Sequence, residues 1–163
     1  MGVSLDGHAA VPVESAYDRA YEAHWSAVFR FALAWTNDWG AAEDVAQDTF
    51  VRLWRHRAAV DFDHDVLPWL LVTARRLATD RFRSLRRRLF GTPPAATLDE
   101  VTAVRWLDLR AAMGSLSPLE RSALVLTALE GRDSAEAAEV LQTSPGAIRA
   151  AVSRARDKLE AIR

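Results

Sequence analysis

The sequence predicts an all-α protein of two small helical units joined by a flexible linker, and three observations lead there. Apolar residues recur three and four apart in nearly every segment, with no run of the strict alternation that marks a strand. The stretch Leu89 to Leu98, LFGTPPAATL, breaks that rhythm with a glycine and two adjacent prolines and reads as a linker. Charge is partitioned as well: residues 1–74 sum to −6, 75–88 to +6, 89–143 to −4 and 144–163 to +3. Each basic block closes one helical unit, so each unit carries its own cationic element.

Taken in order, Met1 to Glu14 reads as a flexible leader (1–14) with no inferable role. Ser15, with Asp18 three residues on, is expected to cap the first helix, in which Tyr17, Tyr21, Trp25, Val28, Ala32 and Trp35 keep helical spacing until Asn37, Asp38 and Gly40. A second helix is expected from about Ala41 to Arg57. It turns Ala42, Ala46, Thr49, Phe50 and Leu53 inward and Asp44, Gln47, Asp48, Val51, Arg52 and Arg55 outward. An Asp-rich loop, AVDFDHDVL, precedes a third helix that opens at Pro68.

That third helix carries seven arginines against Asp80 between Arg75 and Arg88, a local balance of +6 in a chain whose total is −1. At ~100° per residue, Leu70, Leu71, Ala74, Leu77, Ala78, Phe82 and Leu85 share one side, and Arg75, Arg76, Thr79, Arg83, Arg86 and Arg87 face away from it. One face belongs in a core and the other is offered to a polyanion, unless it is simply a solvated face. Arg81 lies towards the apolar side, where it either snorkels or pairs with a carboxylate.

Beyond the linker, Thr97 with Glu100 marks a helix to about Met113. Ser117, Pro118 and Glu120 start another, expected to continue to about Leu129 and close at Gly131, and Asp133 with Glu136 starts a short one to Leu141. Gln142, Thr143 and Ser144 then form a turn into a final helix from Pro145 that could reach Ile162. The pair is a helix-turn-helix or an ordinary helical hairpin. Ile148, Val152, Ala155, Leu159 and Ile162 form its expected seam, and Gly146, Arg149, Ala150, Ser153 and Arg154 project outward. A major-groove helix needs small or polar residues at its outer N-terminal face and an arginine for base edges; Arg149 fits that place, with Arg154, Arg156 and Lys158 on phosphates.

The chain has no cysteine and four scattered histidines, which leaves no thiolate site and no histidine zinc site; no metal or cofactor is expected. No apolar run nears the ~20 residues that span a bilayer, and the first residues lack a signal peptide's pattern, so no membrane insertion is expected and a reducing, cytoplasmic setting is consistent. A carboxylate-bundle enzyme would bring Glu-x-x-His pairs, and none occurs, nor does any nucleophile with a base, phosphate loop or cofactor fingerprint. The chain is therefore read as no enzyme.

Ala41 to Arg55 (AAEDVAQDTFVRLWR), Pro68 to Arg88 (PWLLVTARRLATDRFRSLRRR) and Ser115 to Leu159, in that order around the linker, resemble a bacterial RNA polymerase sigma factor of the extracytoplasmic-function group. The resemblance implies a region 2 helical bundle over 15–88, a linker over 89–98 and a region 4 helix-turn-helix over 99–163. It implies binding of core RNA polymerase through Asp44, Gln47, Asp48, Arg52 and Arg55. Asp61 and Asp63 of the loop, with Trp69, Arg75, Arg76, Thr79, Arg83, Arg86 and Arg87, would hold melted minus-ten DNA. Ser144, Gly146, Arg149, Ser153, Arg154 and Lys158 would hold the minus-thirty-five element, and an anti-sigma protein is the implied inhibitor. The intrahelical alternative for Asp48 is a weak pair with Arg52, worth ~0.3–0.5 kcal/mol. Arg76, Ala150, Ala151 and Gln142 depart from the group's pattern of Asn, Ser, Arg and a turn glycine at those places. The runner-up reading is a stand-alone helix-turn-helix regulator, which would have no need of the cationic helix or of the Asp44/Asp48 face.

Overall fold

The computed structural model of the chain describes residues 12–85, 108 and 110–162, with the backbone alone for 82–85. Among the described residues every regular element is helical. The expected linker Leu89 to Leu98 and the Thr97/Glu100 start lie outside them, as do Arg86 and Arg87; residues 110–114 are helical, at the end of the helix expected there.

Helix α1 (Val13–Thr36) starts inside the expected leader. Pro12, with φ −51°, pre-sets the entry without a side-chain cap, and Ser15 lies in the first turn, where its hydroxyl accepts from Arg19 at 3.1 Å. The expected Ser15 cap is thus corrected, and Val13 and Glu14 leave the leader. At the other end Asn37 adopts the left-handed conformation (φ 52°) and its N–H reaches Leu33 O at 2.7 Å. Asp38 follows at once as N-cap of α2 (Trp39–His56), accepting from Ala41 N at 2.8 Å, so α2 starts two residues earlier than the sequence predicts.

The five residues expected inside α2 are buried, together with Ala41 and Val45. They pack on Val28, Phe31 and Ala32 of α1 and on Leu70, Leu71, Ala74 and Ala78 of α3 (Leu67–Leu85). The loop between α2 and α3 ends where Asp65 Oδ1 accepts from Leu67 N at 3.0 Å, starting α3 one residue before Pro68.

In the second unit, α4 (Pro118–Leu124) has the full capping box: Glu120 N donates to Ser117 Oγ at 3.2 Å and Ser117 N to Glu120 Oε2 at 2.8 Å. The helix expected to run to Leu129 instead widens into a π-helical turn over Val125–Leu129, closed by Glu130 N to Val125 O and by Gly131 at φ 65°. Asp133 and Glu136 box the start of α5 (Ser134–Leu141) as predicted. Gln142 turns the chain in the left-handed region (φ 52°, ψ 53°), and Ser144 caps α6 (Pro145–Glu160).

The seam of α6 is shifted from the expectation. Ile148, Ala151 and Ala155 are fully buried, Val152 and Leu159 are half-buried, and Ile162 lies past the helix end, 56% exposed. An arginine at position 151 would therefore have no outward place to occupy.

The two units pack on each other and share one apolar cluster, with α4 against α1 and α5 against α3. At the α1–α4 junction Arg121, 6% exposed, donates from Nε to Ala34 O and from Nη2 to Trp35 O at 3.2 Å, while Nη1 serves Leu116 O and Met113 O. Ala34 O and Trp35 O are among the last carbonyls of α1, which have no partner within the helix, so a cation from the second unit caps α1 of the first. Burial lowers the pKa of this guanidinium.

Candidate nucleic-acid interface

Three patches come from the fold. On α2, Asp44, Gln47, Arg52 and Arg55 are exposed and Asp48 is half-buried, so the outer face predicted from the helical wheel is the outer face observed. Its acids are held from the side. Arg81 of α3 reaches Asp44 Oδ2 with Nη1 and Asp48 Oδ2 with Nη2, both at 2.7 Å. The arginine pairs with carboxylates, as one of its two sequence readings had it, and Asp48 is held from α3 by that contact. A fork on two carboxylates of one helix fixes their rotamers at the edge of the outer face.

The second patch is the loop before α3 and the polar face of α3. Asp61, Asp63 and His64 are exposed. Asp61 accepts from Asp63 N at 3.0 Å and lies 2.7 Å from His64 Nδ1, and these contacts, the backbone donor first, hold its carboxyl below the usual range. Phe62 and Val60 pack on the core and anchor the loop. Trp69 is 37% exposed and leans on His56, with ring centroids 6.3 Å apart, about two turns from Arg76, which is exposed. Thr79 gives its hydroxyl to Arg75 O at 2.8 Å, which places it on the helix surface with its donor used. Arg83 belongs to the helical backbone, and its side chain lies outside the described residues.

Arg75 departs from the expected outward role. It is half-buried, and Nη2 donates to Gln142 Oε1 at 2.5 Å, while Nε is buried with no hydrogen-bond partner. Burial, then the neighbouring Arg76, lowers its pKa. At the start of α3 Asp65 pairs with Arg132 at 3.0 Å, and Arg132 also reaches Glu136 at 3.4 Å. Burial works to raise the Asp65 carboxyl; the Leu67 N–H and Arg132 outweigh it and hold it low.

The third patch is the outer face of α6. Ser144, Gly146, Arg149, Ala150 and Ser153 are exposed at its N-terminal half, and Ser144 Oγ is used as the cap. Arg154 and Lys158 require correction as free phosphate ligands. Arg154 Nε lies 3.2 Å from Glu120 Oε1 and Lys158 Nζ 2.8 Å from Oε2, so both cations curl back to the buried capping acid of α4. Lys158, the Ser117 N–H and Arg154 together bring the Glu120 carboxyl down to about 2. The sequence shows Glu120 only as a capping acid; what it omits is that two long side chains more than thirty positions away finish the same carboxylate.

The comparisons with known proteins agree with this layout. The family model for Sigma-70 region 2 matches residues 20–88 and that for Sigma-70, region 4 matches 106–159. The ECF RNA polymerase sigma factor SigL of Mycobacterium tuberculosis is 33% identical over 86% of this chain and 85% of its own length. The "Probable RNA polymerase sigma factor RfaY" of Xanthomonas campestris pv. campestris is 34% identical over 91% of this chain, which spans 40% of that relative. Among solved structures, the sigma factor RpoE in complex with the anti-sigma factor NepR from Bartonella quintana superposes with a TM-score of 0.72 at 22% identity, covering 89% of this chain and 94% of that one. At that identity the likeness speaks for the fold.

Proposed function

Because this chain belongs to the sigma-70 family, in its extracytoplasmic-function group, we propose that it binds core RNA polymerase and directs promoter-specific transcription initiation with the three patches described above. The division proposed is an N-terminal unit to residue 88 and a C-terminal unit from 99, with 89–98 between them.

The outer face of α2, through Asp44, Gln47, Asp48, Arg52 and Arg55, docks on polymerase, with Arg81 holding the two acids in place. Asp61, Asp63, Trp69, Arg76, Thr79 and Arg83, joined by Arg75 once it is released from Gln142 and by Arg86 and Arg87, receive the melted minus-ten strand. No covalent step is needed. Opening trades duplex stacking of about 1–2 kcal/mol per step for stacking on an aromatic such as Trp69 and phosphate contacts to arginine. Arg149, with Ser144, Gly146 and Ser153 beside it, reads the minus-thirty-five element from the major groove. The protein would work in the cytoplasm, where polymerase is; no helix among the described residues is long and apolar enough to cross a membrane. An anti-sigma protein is the expected inhibitor, and the structure similar to this fold holds RpoE in complex with the anti-sigma factor NepR.

The observation that carries the reading is the succession, in one chain, of an acid-edged α2, a cationic α3 and a capped helix-turn-helix, each inside a matching family region. Reconstitution with core polymerase from the source organism tests it. Co-elution with core and initiation at native promoters are expected; failure to bind core refutes the proposal, and binding without initiation restricts it to sequestration.

A further inference from the structure

We propose that Glu120 of α4 limits the charge that α6 presents to DNA: it holds Arg154 and Lys158 against α4, so that α6 grips a duplex with two fewer phosphate contacts than its sequence offers. The inference rests on the function proposed above and adds which residue sets the sequence-independent part of upstream binding.

Four cations stand on α6, Arg149, Arg154, Arg156 and Lys158, against Asp157 and Glu160. They divide between two edges of the helix. Arg149 and Arg156 are exposed and line an open pocket of about 420 Å³ together with Ser153. At ~100° per residue, Arg154 and Lys158 fall on the opposite edge, where both meet Glu120. A helix seated in a major groove about 12 Å wide has a phosphate wall along each side. Cations on both edges would each have a strand to bind, and Glu120 engages those of one edge.

The carboxylate is placed to keep its partners. Its side chain is 5% exposed, whereas those of Arg154 and Lys158 are 55% and 43% exposed. Oε2 accepts from the Ser117 N–H and from Lys158 Nζ, both at 2.8 Å, and Oε1 accepts from Arg154 Nε at 3.2 Å. A phosphate that drew both cations away would leave a buried carboxylate short of two of its three donors, and an underpaired buried charge is strongly unfavourable. Lys158 first, then the Ser117 N–H, bring the carboxyl down to about 2, so it remains charged at neutral pH. The cations are solvated enough to serve DNA, yet their partner has nowhere else to turn.

Charge and cap can be separated at this position. Glutamine serves in a capping box as glutamate does, so Glu120→Gln keeps the start of α4 and releases the two cations.

Binding of the full chain to two mixed-sequence duplexes of unrelated sequence is measured over a range of salt, with helical content followed by circular dichroism. Glu120→Gln should steepen the slope of log affinity against log salt by about 1.8 on both duplexes, two phosphate contacts at about 0.9 each. Lowering the salt from about 200 to about 50 mM then strengthens the variant's binding about twelvefold more than the parent's. Adding Arg154→Gln and Lys158→Gln to Glu120→Gln should return the slope to the parent's, whereas the same pair in the parent should change it by less than about 0.5. A residue that only steadied the fold would move the unfolding midpoint and leave the slope where it was. An unchanged slope in Glu120→Gln, a gain on one duplex alone, or a loss of about 1.8 on replacing Arg154 and Lys158 in the parent would each overturn the proposal. Should Glu120→Gln lose helical content, the pair in the parent decides by itself. Core binding measured on the same samples keeps the two proposals apart: a chain that shows the slope change but ignores core refutes the sigma function, and one that binds core without the slope change refutes the restraint by Glu120.

Discussion

The polar face of α3 and the outer face of α6 both answer to the description of a cationic helix offered to DNA, yet the fold treats them in opposite ways. On α6, Arg149 and Ser153 are exposed at the rim of an open pocket with Thr127 and Ser134, and Arg154 and Lys158 are held at the far end by Glu120. On α3, Arg75 is half-buried and bonded to Gln142, and Asp65 of the preceding loop is paired with Arg132, so the chain's own second unit engages two positions of a surface whose Asp61, Asp63, Trp69 and Arg76 stay exposed. The difference fits the two tasks. Under the proposed function the outer face of α6 meets duplex and the polar face of α3 meets a melted strand.

The largest effect should come from the cation that joins the two halves. Arg121→Met removes a buried guanidinium from four backbone carbonyls, two of them at the end of α1. Leaving those acceptors dry should cost about 3 kcal/mol of unfolding free energy, read by urea denaturation of the full chain. A loss below about 1 kcal/mol would mean that water replaces the guanidinium and that the packing of the two units does not depend on this junction.

Next comes the carboxylate that organises the open face. Glu120→Ala deletes the Ser117 capping box together with the contacts of Arg154 and Lys158, and should cost about 2 kcal/mol. The sign with pH follows from the depressed value. With the ordinary value at 4.5 and the folded value about 2, the Glu120 contribution is complete above 4.5 and disappears as the pH falls towards 2. The stability gap between the parent and Glu120→Gln should close over that interval; a gap that is constant with pH would show that the carboxylate's charge contributes nothing.

What could be read in advance was local, and what could not was tertiary. The boxes at Ser117/Glu120 and Asp133/Glu136, the cap at Ser144 and the buried side of α2 each follow from residues three or four apart, and each is present in the fold. The place of Arg81 was legible as well, because its angle on α3 set it near the core side. The helical start at Val13 was missed because proline stood where a polar cap was sought, and the π-turn at Val125 because a stretch of five residues is too short for its wider period to show in an apolar run. Arg75 and Gln142 are 67 positions apart, so no spacing rule links them; the positive φ of Gln142 could have been suspected only from its place in the turn. For Arg154 and Lys158 the wheel gave the direction of Cβ, and long flexible stems then curled back onto another helix.

On the open face itself, Arg149→Ala should cost about 1.5 kcal/mol at the matched upstream base and little at its mismatched variants, so that discrimination falls at one position. Titration of each single-base variant of the upstream element checks this. Equal losses on matched and mismatched sites would make Arg149 a phosphate contact and erase the contrast between a reading helix and a holding helix.

The smallest effect distinguishes the two faces most directly. Arg76 is exposed and lines the cleft, and under the proposed function it meets phosphate rather than a base edge. Arg76→Ala should weaken binding by less than about 1 kcal/mol, uniformly across sequences. The slope of log affinity against log salt for single-stranded DNA should shrink by about 0.7, the counterion release expected of one phosphate contact on a single strand. Arg76 shares its cleft with Glu136 and Glu139, so the slope change should be larger in a Glu139→Gln background, where one competing carboxylate is removed. If the change is the same in both backgrounds, the carboxylates of α5 do not compete with phosphate for Arg76.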